Sequence, residues 1–142
     1  MPRSSALGTT APPIATIRVQ NLRLRTFIGF NPDEKVKKQD VVVNLEIRYL
    51  ARPGVLEDQV EEALNYKVIT KRVIDRIENG KFLLLEKLVA DVLDICSDHP
   101  DVRHARVTID KPHALRFADS VSLALEYHAD EQPSLTLLEK AS

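Results

Sequence analysis

From Val41 to Tyr49 the chain alternates with a period of two: Val41, Val43, Leu45, Ile47 and Tyr49 share one face, while Asn44, Glu46 and Arg48 share the other. That period predicts a strand buried on one side. Upstream, Ile17 and Val19 alternate with polar residues, and the alternation resumes out of phase at Leu22 and Leu24. The slip predicts a strand with a bulge near Gln20 and Asn21.

The middle of the chain changes period. Asn65 can cap a helix that carries Ile69, Val73, Ile74 and Ile77 on one side and stops at Gly80, read here as a left-handed terminator. A second helix follows, with Leu85, Leu88, Val89, Val92, Leu93 and Cys96 at spacings of three and four, and Pro100 forbids its extension. Two further strands are predicted, with Ala105, Val107 and Ile109 inward in one and Val121, Leu123, Leu125 and Tyr127 inward in the other. Strands at both ends and helices between them predict an α+β two-layer domain, ββααββ, with an antiparallel sheet and both helices on one face. Four strands leave two unpaired edges, which self-association would cover. The segments 1–14 and 129–142, lacking sustained periodicity, are expected to be flexible ends.

Composition narrows the class. A chain of 142 residues suits one domain, and a net charge of -1 argues against a nucleic-acid protein driven by bulk charge. The single cysteine, Cys96, cannot form an internal disulfide. No apolar run approaches the roughly 20 residues of a membrane span, and the first residues lack a signal-peptide core, so a cytoplasmic location with no membrane partner is expected.

Candidate chemistry gathers at a few positions. Lys111 ends the predicted strand from Val102 to Asp110 and opens a proline-fixed turn; a lysine aimed from a rigid strand end can serve as a general base, although most such lysines are merely solvated. Glu34 lies in the turn between the first two strands and Tyr66 in the first turn of the first helix, where a solvated acid and a packing tyrosine are the bland alternatives. Glu86, in the first turn of the second helix, either complements the helix dipole or grips an amidine-like edge through both oxygens, and spacing does not choose. Arg23, Arg25, His113 and Arg116 are the basic groups best placed to meet an anion. No cysteine pair or His-x-x-x-His spacing offers a metal site, the four histidines are scattered, and no phosphate-cradling glycine loop or serine elbow occurs. Acid–base chemistry without metal is the expectation.

Four segments in order, Leu22 to Phe30, Ala63 to Lys71, Leu84 to Leu88 and Asp110 to Ser122, resemble the dihydroneopterin aldolase family across about residues 15–128. Within that family they are most similar to the members that epimerise carbon 2' of the side chain of 7,8-dihydroneopterin triphosphate. Aldol cleavage to 6-hydroxymethyl-7,8-dihydropterin and glycolaldehyde is the alternative activity. The resemblance implies the tunnelling fold, rings of four chains stacked as a homo-octamer, active sites between subunits, a small pterin substrate and no cofactor. Carried over by position, it makes Lys111, Tyr66 and Glu34 catalytic and Glu86 the anchor of the pterin ring, with Leu85 and the backbone around Leu64 and Asn65 lining the pocket.

Overall fold

The computed structural model describes residues 11–129. The expected flexible ends, 1–10 and 130–142 in particular, lie outside the described residues. Five strands and four helices follow in the order β1 (Ile14–Ile28), α1 (Pro32–Val36), β2 (Gln39–Leu50), α2 (Pro53–Leu56), α3 (Tyr66–Glu78), β3 (Lys81–Phe82), α4 (Leu85–Cys96), β4 (Val102–Pro112) and β5 (Ser120–His128), with one 3-10 turn at Val60–Glu62. The sheet order is β3-β1-β2-β4-β5. All neighbours are antiparallel except β1 and β3, whose short parallel pairing joins Phe27 to Lys81 and Ile28 to Phe82.

The α+β architecture is therefore as the periodicity indicates, with one strand more than the four expected. β3 spans two residues, too few for an alternation to show. It nevertheless ties the end of β1 to the link between the helices, and the Gly29 N–H donates to the Phe82 carbonyl at 2.9 Å just beyond it.

The bulge falls where the phase slips: Val19 faces Leu45 and Leu22 faces Val43, so Gln20 and Asn21 together oppose Asn44. Asn21 takes a φ of 56°, a conformation asparagine tolerates, and its N–H donates to Asn44 Oδ1 at 2.9 Å. Between the sheet and the long helices lies a core in which Val41, Val43, Ile47, Val73, Ile77, Leu88, Val92, Val107 and Ile109 are essentially inaccessible. Full burial of each such side chain stabilises the fold by about 1.5–3 kcal/mol.

Asn65 caps α3 through its side-chain oxygen, which accepts from the N–H groups of Lys67 at 3.1 Å and Val68 at 3.2 Å. At the other end the expectation fails. The C-cap is Asn79 with φ -98°, and Gly29 is the one described glycine with positive φ, so Gly80 is not a left-handed terminator. Its lack of a side chain serves packing instead: a Cβ there would lie 2.4 Å from the Phe82 ring and 2.9 Å from the Arg76 carbonyl. Arg76 in turn pairs with Asp91, which Lys87 also meets at 2.8 Å, joining α3 to α4.

Among the described residues no strand lies beside the outer edge of β5, that of the two-residue β3, or that of β1 from Ile14 to Thr26. No helix among those residues is long and apolar enough to cross a membrane.

Candidate active site

β4 runs two residues further than its hydrophobic pattern predicts, pairing Lys111 with Val121 and Pro112 with Ser120 before His113 turns the chain at φ 62°. Lys111 is thus held inside the sheet, between fixed neighbours. Its ammonium reaches Glu34 Oε2 at 2.5 Å, and the two side chains retain only 13% and 21% of their exposure. So little solvent screening leaves the pair stronger than a surface ion pair.

Glu34 owes its position to local structure that the sequence disguises as a loop. Pro32 opens the one-turn helix α1, and a reciprocal capping box joins Asn31 and Glu34. In it, Glu34 Oε1 accepts the Asn31 N–H at 3.2 Å. The Lys111 ammonium holds the Glu34 carboxyl below its ordinary value, against a smaller opposing push from burial, and the Asn31 N–H adds to the lowering.

Gly29 is the residue that sequence reasoning missed. It lies at φ +126°, and a Cβ built on it would fall 2.2 Å from Glu34 Cδ. Any side chain at position 29 therefore occupies the space of the carboxylate. Gln39 is the second omission: its amide donates to the Ile28 carbonyl at 2.6 Å and fixes the strand end from which Gly29 departs. A small cavity of about 260 Å³ opens beside this group, walled by Phe27, Gly29, Glu34, Phe82 and Leu83, with the Lys81 ammonium 5.3 Å from the centre of the Phe27 ring.

The remaining expected residues divide among other places. Arg23, Arg25 and His113 line a separate pocket of about 390 Å³ with Pro112, Asp40 and Glu78. Arg25 is partly committed there, donating to the Lys38 carbonyl at 3.0 Å and meeting Asp40 at 3.2 Å. Arg116 is exposed in the β4–β5 turn, its guanidinium 5.3 Å from the ring centre of Phe117, itself 94% exposed.

Glu86 is exposed in the first turn of α4, where the N-cap Leu84 supplies no side-chain hydrogen bond, while Leu85 beside it is half-buried. Leu64 belongs to the core and Asn65 is occupied as a cap. Tyr66 is half exposed and lines a broad apolar groove of about 700 Å³ with Ile17, Val19, Thr70 and Ile74. Within one chain, then, Glu34 and Lys111 meet, and Tyr66 faces a different groove.

The family model "FolB: Dihydroneopterin aldolase" matches residues 17–126. The chain is 50% identical over 117 residues to the dihydroneopterin triphosphate 2'-epimerase of Pseudomonas aeruginosa, a match covering 82% of this chain and 95% of that protein. To the dihydroneopterin aldolase of Haemophilus influenzae it is 26% identical over 107 residues, covering 75% and 91%. A solved structure of a FolB protein from Vibrio cholerae superposes with a TM-score of 0.74 at 29% identity, over 80% of this chain and 97% of that one. The E. coli dihydroneopterin aldolase in complex with neopterin has the same fold, with a TM-score of 0.73 at 24% identity over 80% of this chain and 98% of that one.

Proposed function

The chain belongs to the dihydroneopterin aldolase family, and from that premise we propose that it inverts carbon 2' in the side chain of 7,8-dihydroneopterin triphosphate, giving dihydromonapterin triphosphate. The observation that carries the choice is the 50% identity to a 2'-epimerase against 26% to an aldolase. The Glu34–Lys111 pair gives the chemistry a place.

Lys111, as the free amine, takes the proton of the 2'-hydroxyl and becomes the ammonium that Glu34 holds. The bond between carbons 1' and 2' breaks, its electron pair flowing into the N5=C6 imine of the dihydropterin, which becomes an enamine. Carbon 2' is left as an aldehyde. After the aldehyde turns over, carbon 1' attacks its opposite face, the imine re-forms, and Lys111 returns the proton to the new alkoxide. The net change is inversion at one carbon, and the substrate supplies its own electron sink. Should the enamine be protonated at carbon 1' instead, with Tyr66 as donor, the aldehyde departs and the reaction is an aldol cleavage.

Positioning falls to the other residues. Glu86 grips the amino and ring N–H edge of the pterin through its two oxygens, with Leu85 and the backbone around Leu64 and Asn65 framing the ring. Arg23, Arg25, His113 and Arg116 hold the triphosphate, and an aldehyde tethered in this way stays to recombine. Because Tyr66 lies apart from Lys111 within the chain, the complete site forms between neighbouring subunits in a homo-octamer of two stacked four-membered rings. The uncovered edges of β1 and β5 support ring closure.

Incubation of the purified protein with 7,8-dihydroneopterin triphosphate, then dephosphorylation, oxidation and chromatography, tests the reading. Monapterin that disappears with Lys111→Ala is the expected result. Mainly 6-hydroxymethylpterin would make the protein an aldolase, and unchanged substrate would overturn catalysis altogether.

A further inference from the structure

We propose that His104, Glu126 and His128 form a binding site for a divalent ion of the zinc type, at the end of the sheet away from Lys111. The histidines, scattered in sequence, are brought directly opposite each other by the pairing of β4 with β5. Glu126 follows at the alternate position of β5 and shares their face, because side chains two residues apart in a strand point the same way. One ligand atom from each of the three lies within 4.8 Å of the others.

The distances suit a small ion. His104 Nε2 is 2.8 Å and His128 Nε2 is 3.7 Å from the same oxygen, Glu126 Oε1. Ligands about 2.0 Å from a tetrahedral zinc stand about 3.3 Å apart, between those two values, and with all three ligand atoms within 4.8 Å of one another side-chain rotation suffices to admit the metal. The imidazole rings, 4.5 Å between centroids and tilted by 48°, already face one another.

The second oxygen of Glu126 accepts from Arg106 at 3.0 Å, which fixes the carboxylate and turns Oε1 toward the histidines. Two imidazoles and one carboxylate leave a fourth position for water or a further ligand, the donor set of open zinc sites.

Two features limit the affinity. His104 Nδ1 is buried and, among the described residues, has no hydrogen-bond partner to fix the metal-binding tautomer. Such outer partners alter metal affinity by about 10–100-fold. Arg106 also places a positive charge beside the site. The site is therefore weaker than one whose histidines are held from behind, and when filled it clamps the edge strand β5 to the start of β4.

The test uses the tag-free full chain, stripped with a chelator and titrated with Zn²⁺ against a chromophoric competitor, with Co²⁺ as the spectroscopic probe. The expected results are one zinc per chain, visible cobalt absorption of tetrahedral type, and a rise in Tm with zinc. His128→Ala and the nearly isosteric Glu126→Gln should each weaken binding about tenfold or more and abolish the cobalt band. Absence of stoichiometric binding below about 1 mM, or binding equally tight in both variants, would overturn the proposal. None of these measurements depends on the pterin reaction.

Discussion

The Lys111 ammonium and the Glu34 carboxylate, 77 positions apart in the chain, stand in direct contact at 2.5 Å with little of either side chain left to solvent. Within the chain each group is thus the other's partner, and the amine assigned as base is held by a carboxylate. A substrate hydroxyl that uses Lys111 must first enter between them, and catalysis begins by exchanging one partner of the lysine for another.

The pair makes stability depend on pH in a defined direction. Glu34 titrates below its ordinary value of 4.5 in the folded chain, so its contribution is complete above that value and fades as pH falls through the lower folded value. The difference in Tm between the natural chain and Glu34→Gln should be constant from neutral pH to about 5 and shrink in more acid solution. A difference that widens with acid would contradict the assigned pairing.

Gly29→Ala tests both the backbone and the site. A methyl group at φ +126° costs about 1–3 kcal/mol, and it must also displace the Glu34 carboxylate 2.2 Å away. We expect a measurable fall in Tm together with a loss in kcat/KM of about 100-fold or more, larger than a stability loss of that size explains in a chain still folded at the assay temperature. Circular dichroism beside the epimerase assay separates the two effects. Activity retained in a folded variant would mean that Glu34 can leave Lys111 without consequence.

Subunit mixing tests the composite site. Lys111→Ala and Tyr66→Phe should each be nearly inactive alone in the aldol cleavage for which Tyr66 is the proton donor, read as release of 6-hydroxymethylpterin. Unfolded together in equal amounts and refolded, random assembly restores both natural residues in about a quarter of the sites, so about a quarter of the natural activity should return. No recovery would place Tyr66 and Lys111 in the same subunit's site.

Arg116 bears on the product. Its guanidinium is free of any carboxylate among the ion pairs of the described residues and sits at an exposed turn next to Phe117. Arg116→Ala should loosen the triphosphate and raise the ratio of cleavage to epimerisation several-fold, read as 6-hydroxymethylpterin over monapterin. An unchanged ratio would remove Arg116 from the tether.

Much of the scaffold is legible in the sequence because burial imposes a period. β2 alternates without a break, the bulge at Gln20 and Asn21 announces itself as a phase slip, and the Asn65 cap precedes an amphipathic run. What escapes are features set by contact. β3 is too short to have a period, and Gly80 answers to the Phe82 ring, a packing partner that a terminator rule cannot see. The meeting of Glu34 with Lys111 depends on how a one-turn helix and a strand end are juxtaposed, which no spacing encodes. Residue types and family resemblance bring both residues forward, yet Gly29, whose missing side chain makes room for their contact, carries no chemistry to attract notice.

The uncovered edges of β1 and β5 have a consequence for how activity is counted. If neighbouring copies supply those missing strands and the facing halves of each site, a solitary chain is a fragment of a catalyst however well it folds. Specific activity should then fall on dilution and rise with protein concentration, following the law of mass action for assembly. For this protein the concentration of enzyme belongs beside pH and temperature among the variables that define its rate.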